Sequence, residues 1–142
     1  SVLTAELTAI NQYFIHHKMC EDWGYKRLSA KKKSESIEEM KHADTVIERI
    51  LFLDGVPNMQ RLFPVGVGES AVEQFSLNYE MELGAVDRYQ RAVNICNEAN
   101  DAGTRVMMEE LLKEEEHHVD EAQSELANLE ILGEALWLAK WV

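Results

Sequence analysis

The stretch Val72–Cys96 reads VEQFSLNYEMELGAVDRYQRAVNIC. Val72, Phe75, Tyr79, Glu82, Val86, Tyr89, Val93 and Cys96 follow one another in alternating steps of three and four. That spacing keeps all eight on one stripe of an α-helix and makes the stripe a bundle seam. The helix is expected from about Ser70 to Ala99, with Ser70 and Glu73 placed as a capping box. Every member of the seam is apolar or aromatic except Glu82. A carboxylate there must be protonated, paired or bound to a cation, because a bare buried charge is too costly.

Working outward, the rest of the chain also reads as helix. Leu3, Leu7, Ile10 and Phe14 carry helical spacing through a first segment, about Val2 to Trp23. The stretch WGYKRLSAKKKS reads as a basic turn, followed by a second helix from about Ser34 to Leu53. NEANDAGT breaks the chain before a fourth helix, about Thr104 to Ile131. Gly133 then sets off a short apolar tail, EALWLAKWV. Both prolines, Pro57 and Pro64, fall between Asp54 and Ser70, the one long breaker-rich segment. Short outer links make antiparallel neighbours. The middle link, fully extended at about 3.3 Å per residue, can run the length of a bundle and leave helices two and three parallel. The expectation is an all-α chain, one domain over residues 1–142: a four-helix bundle with one long crossover. No fine-scale repeat is evident.

Composition narrows the function. A net charge of −12 argues against nucleic acid and an anionic membrane, and suits a cationic partner such as a metal ion. No apolar run is long enough to span a membrane, and no basic segment with an apolar signal core stands at the N-terminus. Cys20 and Cys96 lie far apart with no zinc spacing, so a reducing compartment is the simplest expectation.

Three more misfits join Glu82. On the first helix Glu6 shares a stripe with Leu3, Ile10, Tyr13 and His17; a surface edge position would explain it equally well. On the second, Glu39 and His42 are i and i+3 on the face that carries Val46 and Leu53. The fourth holds KEEEHHVDE, where two Glu-x-x-His pairs overlap. Glu115 and His118 step through apolar neighbours with Met108, Leu111 and Ala122. Glu114 and His117 align with Glu110 and Glu121, a solvent face, so the first pair is chosen. One Glu-x-x-His is weak evidence in an acidic helix. Two such pairs, plus one seam glutamate on each remaining helix, form the pattern by which di-iron and di-manganese carboxylate bundles are described; this chain matches a known class. Four carboxylates and two imidazoles suit Fe²⁺ and would also take Mn²⁺ or Zn²⁺. Tyr13, two turns beyond Glu6, could hydrogen-bond near the site or pass an electron, or be an ordinary core tyrosine. The partner of each histidine's second nitrogen is not legible.

At this point ELTAINQYF, DWGYKRL, ESIEEMKHAD, IERILFLDGVPN and EEEHHVDE closely resemble the bacterioferritin family, in order and spacing, over nearly the whole chain. The resemblance implies a ferritin-like bundle with a short fifth C-terminal helix, and a cytoplasmic, homo-oligomeric cage of 24 subunits that stores iron. It implies a ferroxidase that oxidises Fe²⁺ with O₂ or H₂O₂. Glu39 and Glu115 would bridge a di-iron centre, Glu6 and His42 completing one iron, Glu82 and His118 the other. Met40 matches the axial ligand of haem b at the two-fold interface, and a ferredoxin-type reductant is implied as partner. Adjacent to Glu39, Met40 points about 100° away from the metal-facing residues. Ser34 replaces a histidine that binds inner-surface iron in some members, although Glu38 could still do so. Lys31–Lys33, Trp137 and Trp141 also depart from the family pattern. The competing expectations are a rubrerythrin-like di-iron peroxidase, which would usually add a CxxC segment, and a non-catalytic haem-carrying subunit.

Overall fold

A computed structural model describes residues 1–142 and contains five helices with no strand: α1 (Val2–Asp22), α2 (Lys26–Phe52), α3 (Ala71–Glu98), α4 (Ala102–Leu132) and α5 (Glu134–Ala139). None is long and apolar enough to cross a membrane. The expected all-α bundle with a long crossover and a short last helix is what forms. α1 packs on α2 and α3 on α4, while the two pairs meet more sparsely across the middle.

The expected basic turn is corrected. Helix α2 starts at Lys26, not Ser34, so Lys31–Lys33 are helical. The turn is confined to residues 23–25, where Gly24 takes φ 88°. Lysine is a good helix former, and its aliphatic stem can cover apolar surface. Elsewhere boundaries move by one or two residues. Ser70 Oγ accepts from Glu73 N, and Glu73 Oε2 accepts from Glu69 N, one residue before the expected box partner. Asp101 accepts from Thr104 N and starts α4 at Ala102.

Two apolar clusters occupy the ends of the bundle. Leu3, Ala43, Val46, Tyr89, Val93, Cys96, Met108 and Leu111 form one. Cys20, Leu28, Ala71, Phe75 and Trp137 form the other, which therefore holds the starts of both α2 and α3; the two run parallel. Helix α5 closes this end. Trp137 is fully buried edge-on to Phe75, its Nε1–H donates to Glu125, and the Trp141 carbonyl accepts from Arg27 N at the start of α2. The crossover is stitched to α1 over three successive turns. Thr8 Oγ1 accepts from Phe63 N, Gln12 Oε1 accepts from Gly66 N, and His16 Nε2–H donates to Gly66 O. Burial pushes His16 down to about 4, which keeps it neutral in this role.

Candidate metal centre

Between the two apolar clusters lies a layer of charge. Glu6, Glu39, Glu82 and Glu115 are each 1–3% exposed, and His42 is 5% exposed. The seam reading placed these side chains on helix faces; packing turns the four faces toward one another. His42 Nδ1 lies 3.1 Å from Glu115 Oε1, 3.3 Å from Glu39 Oε2 and 3.6 Å from Glu6 Oε2. His118 Nδ1 lies 3.5 Å from Glu39 Oε1, 3.5 Å from Glu115 Oε2 and 3.7 Å from Glu82 Oε2. The six residues form two interlocking groups, Glu6–Glu39–His42–Glu115 and Glu39–Glu82–Glu115–His118, with ligand atoms within 4.8 Å of one another in each. Glu39 and Glu115 belong to both.

Protonation shows what this layer wants. Burial pushes Glu6 and Glu82 well above the usual carboxylate range, and hydrogen bonding to Glu39 and Glu115 pushes the same way. Burial acts on Glu39 and Glu115 too, but hydrogen bonds with Glu6 and Glu82 and then with both histidines hold this pair low. Burial disfavours charge on His42 and His118, yet the surrounding carboxylates outweigh it and raise both. The centre thus recruits protons to balance four buried acids. Glu6 Oε2, Glu39 Oε1, Glu82 Oε2, Glu115 Oε2 and His118 Nδ1 remain without a hydrogen-bond partner. Buried polar atoms left unpaired in this way are costly, and cations placed among them would satisfy them.

Tyr13 OH donates to Glu82, and Tyr89 OH donates to Glu6 over 2.5 Å. Tyr89 had registered only as a seam residue. Outside the cluster, His118 Nε2–H donates to Glu38 Oε2 at 2.9 Å, and His42 Nε2–H to Glu114 Oε2. The solvent-face reading of Glu114 is therefore incomplete: its side chain is 60% exposed, yet its tip reaches His42. His117 stays outside the centre, 3.1 Å from Glu121. The signal that could have named both partners is EExxH, present as Glu38–His42 and again as Glu114–His118.

That signal belongs to a wider repeat, too long and sparse to show as a fine-scale one. Glu6 and Glu82, Tyr13 and Tyr89, Glu38 and Glu114, Glu39 and Glu115, and His42 and His118 are each 76 positions apart. The α1–α2 hairpin and the α3–α4 hairpin carry the same chemistry, and each supplies the outer partner for the other's residues.

Met40 is not part of this layer. It is 51% exposed beside an apolar cleft of about 460 Å³ lined by Leu7, Ile10, Ile37, Ala43, Ile47 and Met59. Cys20 and Cys96 are buried free thiols.

A family model described as ferritin-like domain matches residues 1–132. The chain is 45% identical to a bacterioferritin of Streptomyces coelicolor over 137 residues, 96% of this chain and 82% of that protein. It is 41% identical to a bacterioferritin of Mycolicibacterium paratuberculosis, and 40% identical to bacterioferritin BfrA of Mycobacterium tuberculosis H37Rv. Each of those two matches covers 99% of this chain and 88% of the relative. With donors, bundle and near full-length similarity in agreement, the chain belongs to the bacterioferritin family.

Proposed function

We propose that this chain is an iron-storage subunit whose buried carboxylate layer is a ferroxidase centre for Fe²⁺. The observation that carries this reading is the sharing of Glu39 and Glu115 between two groups of four donors. Carboxylates that face two histidines at once can bridge a pair of cations. Glu6 with His42 would complete one position, and Glu82 with His118 the other. Four carboxylate charges balance two Fe²⁺, so loading replaces protons without leaving a net buried charge. Two Fe²⁺ held there would supply two electrons, enough with two protons to reduce O₂ to H₂O₂ or H₂O₂ to two waters.

The chain's own residues do the positioning. Tyr13 and Tyr89 hold the terminal carboxylates by hydrogen bonds, and Glu38 and Glu114 orient the imidazoles so that Nδ1 faces inward. Fe²⁺ would approach as substrate through a cavity of about 620 Å³ that reaches both His42 and His118. Its three glutamates, Glu38, Glu110 and Glu114, outnumber its two lysines, Lys41 and Lys113, and favour a divalent cation.

Haem b fits Met40. A soft thioether stands at an apolar cleft that one chain leaves half open, and a second copy would close it and offer its own methionine. The haem would supply an electron route for reducing stored iron, with a ferredoxin-type donor as the reductant. Phe52 and Val56, 71% and 91% exposed, extend the apolar surface onto the crossover and support a homo-oligomeric cage, 24 subunits by family, in the cytoplasm. A rubrerythrin-like peroxidase gains no support, since neither buried cysteine belongs to a CxxC segment.

Replacing Glu82 with Ala tests the reading. Rapid Fe²⁺ oxidation should be lost while the cage still assembles. Unchanged oxidation kinetics would refute the assigned centre.

A further inference from the structure

The two halves of the centre share donors but not surroundings. Beside Tyr89 and Glu6, the repeat places Met108 and Leu111, both in the apolar cluster. Beside Tyr13 and Glu82, the equivalent positions hold Lys32 and Glu35. Lys32 is 2% exposed; its Nζ lies 4.0 Å from the Phe75 ring centre and 5.5 Å from that of Tyr13. Its nearest carboxylate oxygen, Glu35 Oε1, is 3.8 Å away, beyond hydrogen-bond reach. That oxygen sits closer to Lys31 Nζ, at 3.2 Å, so two ammonium groups share one carboxylate. Burial, with Lys31 beside it, outweighs the pull of Glu35 and Glu82 and holds Lys32 below the usual lysine range.

Tyr13, Lys32, Asn78, Glu82 and His118 line a chamber of about 30 Å³, together with the charged side chains of Lys31, Glu35, Glu121 and Glu125. That is room for about one or two waters. Asn78 Nδ2 and Glu82 Oε2 lack partners and could bind such a water. Neither Glu6 nor His42 reaches this chamber.

We propose that Lys32 makes the two metal positions unequal: divalent cations fill the Glu6–His42 position first and hold the Glu82–His118 position more weakly, as the exchangeable one. This rests on the two-metal reading above. A buried positive charge opposes a neighbouring dication far more than an exposed one does, because the interior screens poorly.

Anaerobic Co²⁺ titration of the assembled protein, read by its visible absorbance, tests this. The wild-type protein should bind two Co²⁺ per chain in two steps at least about tenfold apart, a difference of about 1.4 kcal/mol. Glu6→Ala should leave only the weak step and Glu82→Ala only the tight one. Lys32→Met should strengthen the second step alone and merge the two, whereas Lys32→Arg should keep them apart. Lys32→Gln, a second neutral variant, serves if the methionine variant does not fold. Two equal steps in the wild-type protein, or a gap that survives both neutral variants, would overturn the inequality while sparing the two-metal centre. Fewer than two Co²⁺ per wild-type chain would sink the two-metal reading itself.

Discussion

At the scale of single residues, His42 and His118 are each gripped from both sides. Nδ1 faces three buried carboxylates and Nε2 faces one glutamate at the rim. The rim partner also lines the approach cavity, but equilibrium affinity reports its hold on the imidazole. Glu114→Ala and Glu38→Ala should each weaken Zn²⁺ binding by about 10–100-fold, measured by competition with a chelator, while leaving the helices intact. Protonation at these residues sets a second expectation. In the metal-free protein the histidines are raised, as are Glu6 and Glu82. A raised histidine contributes stability below its unfolded value, about 6.5. That contribution fades as pH climbs toward the folded value. The raised glutamates act in the same direction from about 4.3 upward. Glu39 and Glu115, being depressed, matter only in acid. The melting temperature of metal-free protein should therefore fall between pH 6.5 and 8.5. Zn²⁺ affinity should rise over the same window, because the cation displaces those protons. A flat melting profile would contradict the charge balance assigned to the centre.

At the scale of elements, the seam of α3 shows why the ligands were legible and the rest was not. A heptad-like stripe with one acid in it gives that acid an address inside the bundle, since periodicity alone fixes which face is buried. The six candidate ligands all lie on such faces. Glu38 and Glu114 do not; they reach inward from half-exposed positions by side-chain length, and periodicity is blind to that. Lys32 was hidden for the opposite reason. Three lysines in a row resemble a solvated turn, but helix geometry turns one of them inward, where Phe75 receives it. Periodicity shows helix α5 only as an apolar tail, and its fit against Phe75 and Glu125 emerges only at the folded end of the bundle. Trp137→Ala should cost about 3–5 kcal/mol, measured by denaturant unfolding of the subunit, because it empties a sealed site. The centre's donors lie two or more turns away along the helices, so Co²⁺ stoichiometry should not change.

At the scale of the whole molecule, two hairpins of matching chemistry close on each other and leave a charged layer between apolar ends. Such a layer is a poor way to stabilise a bundle, since buried ion pairs seldom beat apolar packing. Its persistence across all four helices makes sense if cations complete it. The outer surface points to assembly in the same way. Met40→Leu should abolish the haem Soret band of the purified cage without changing its elution volume, because the leucine keeps the apolar cleft while removing the thioether. A retained Soret band would show that haem, if present, is held elsewhere. The central claim is the two-cation centre, and rapid mixing of metal-free protein with increasing Fe²⁺ in the presence of oxidant tests it most directly. The fast phase should saturate at two Fe²⁺ oxidised per chain and disappear in Glu82→Ala; saturation at one, or no fast phase in the wild-type protein, would contradict it.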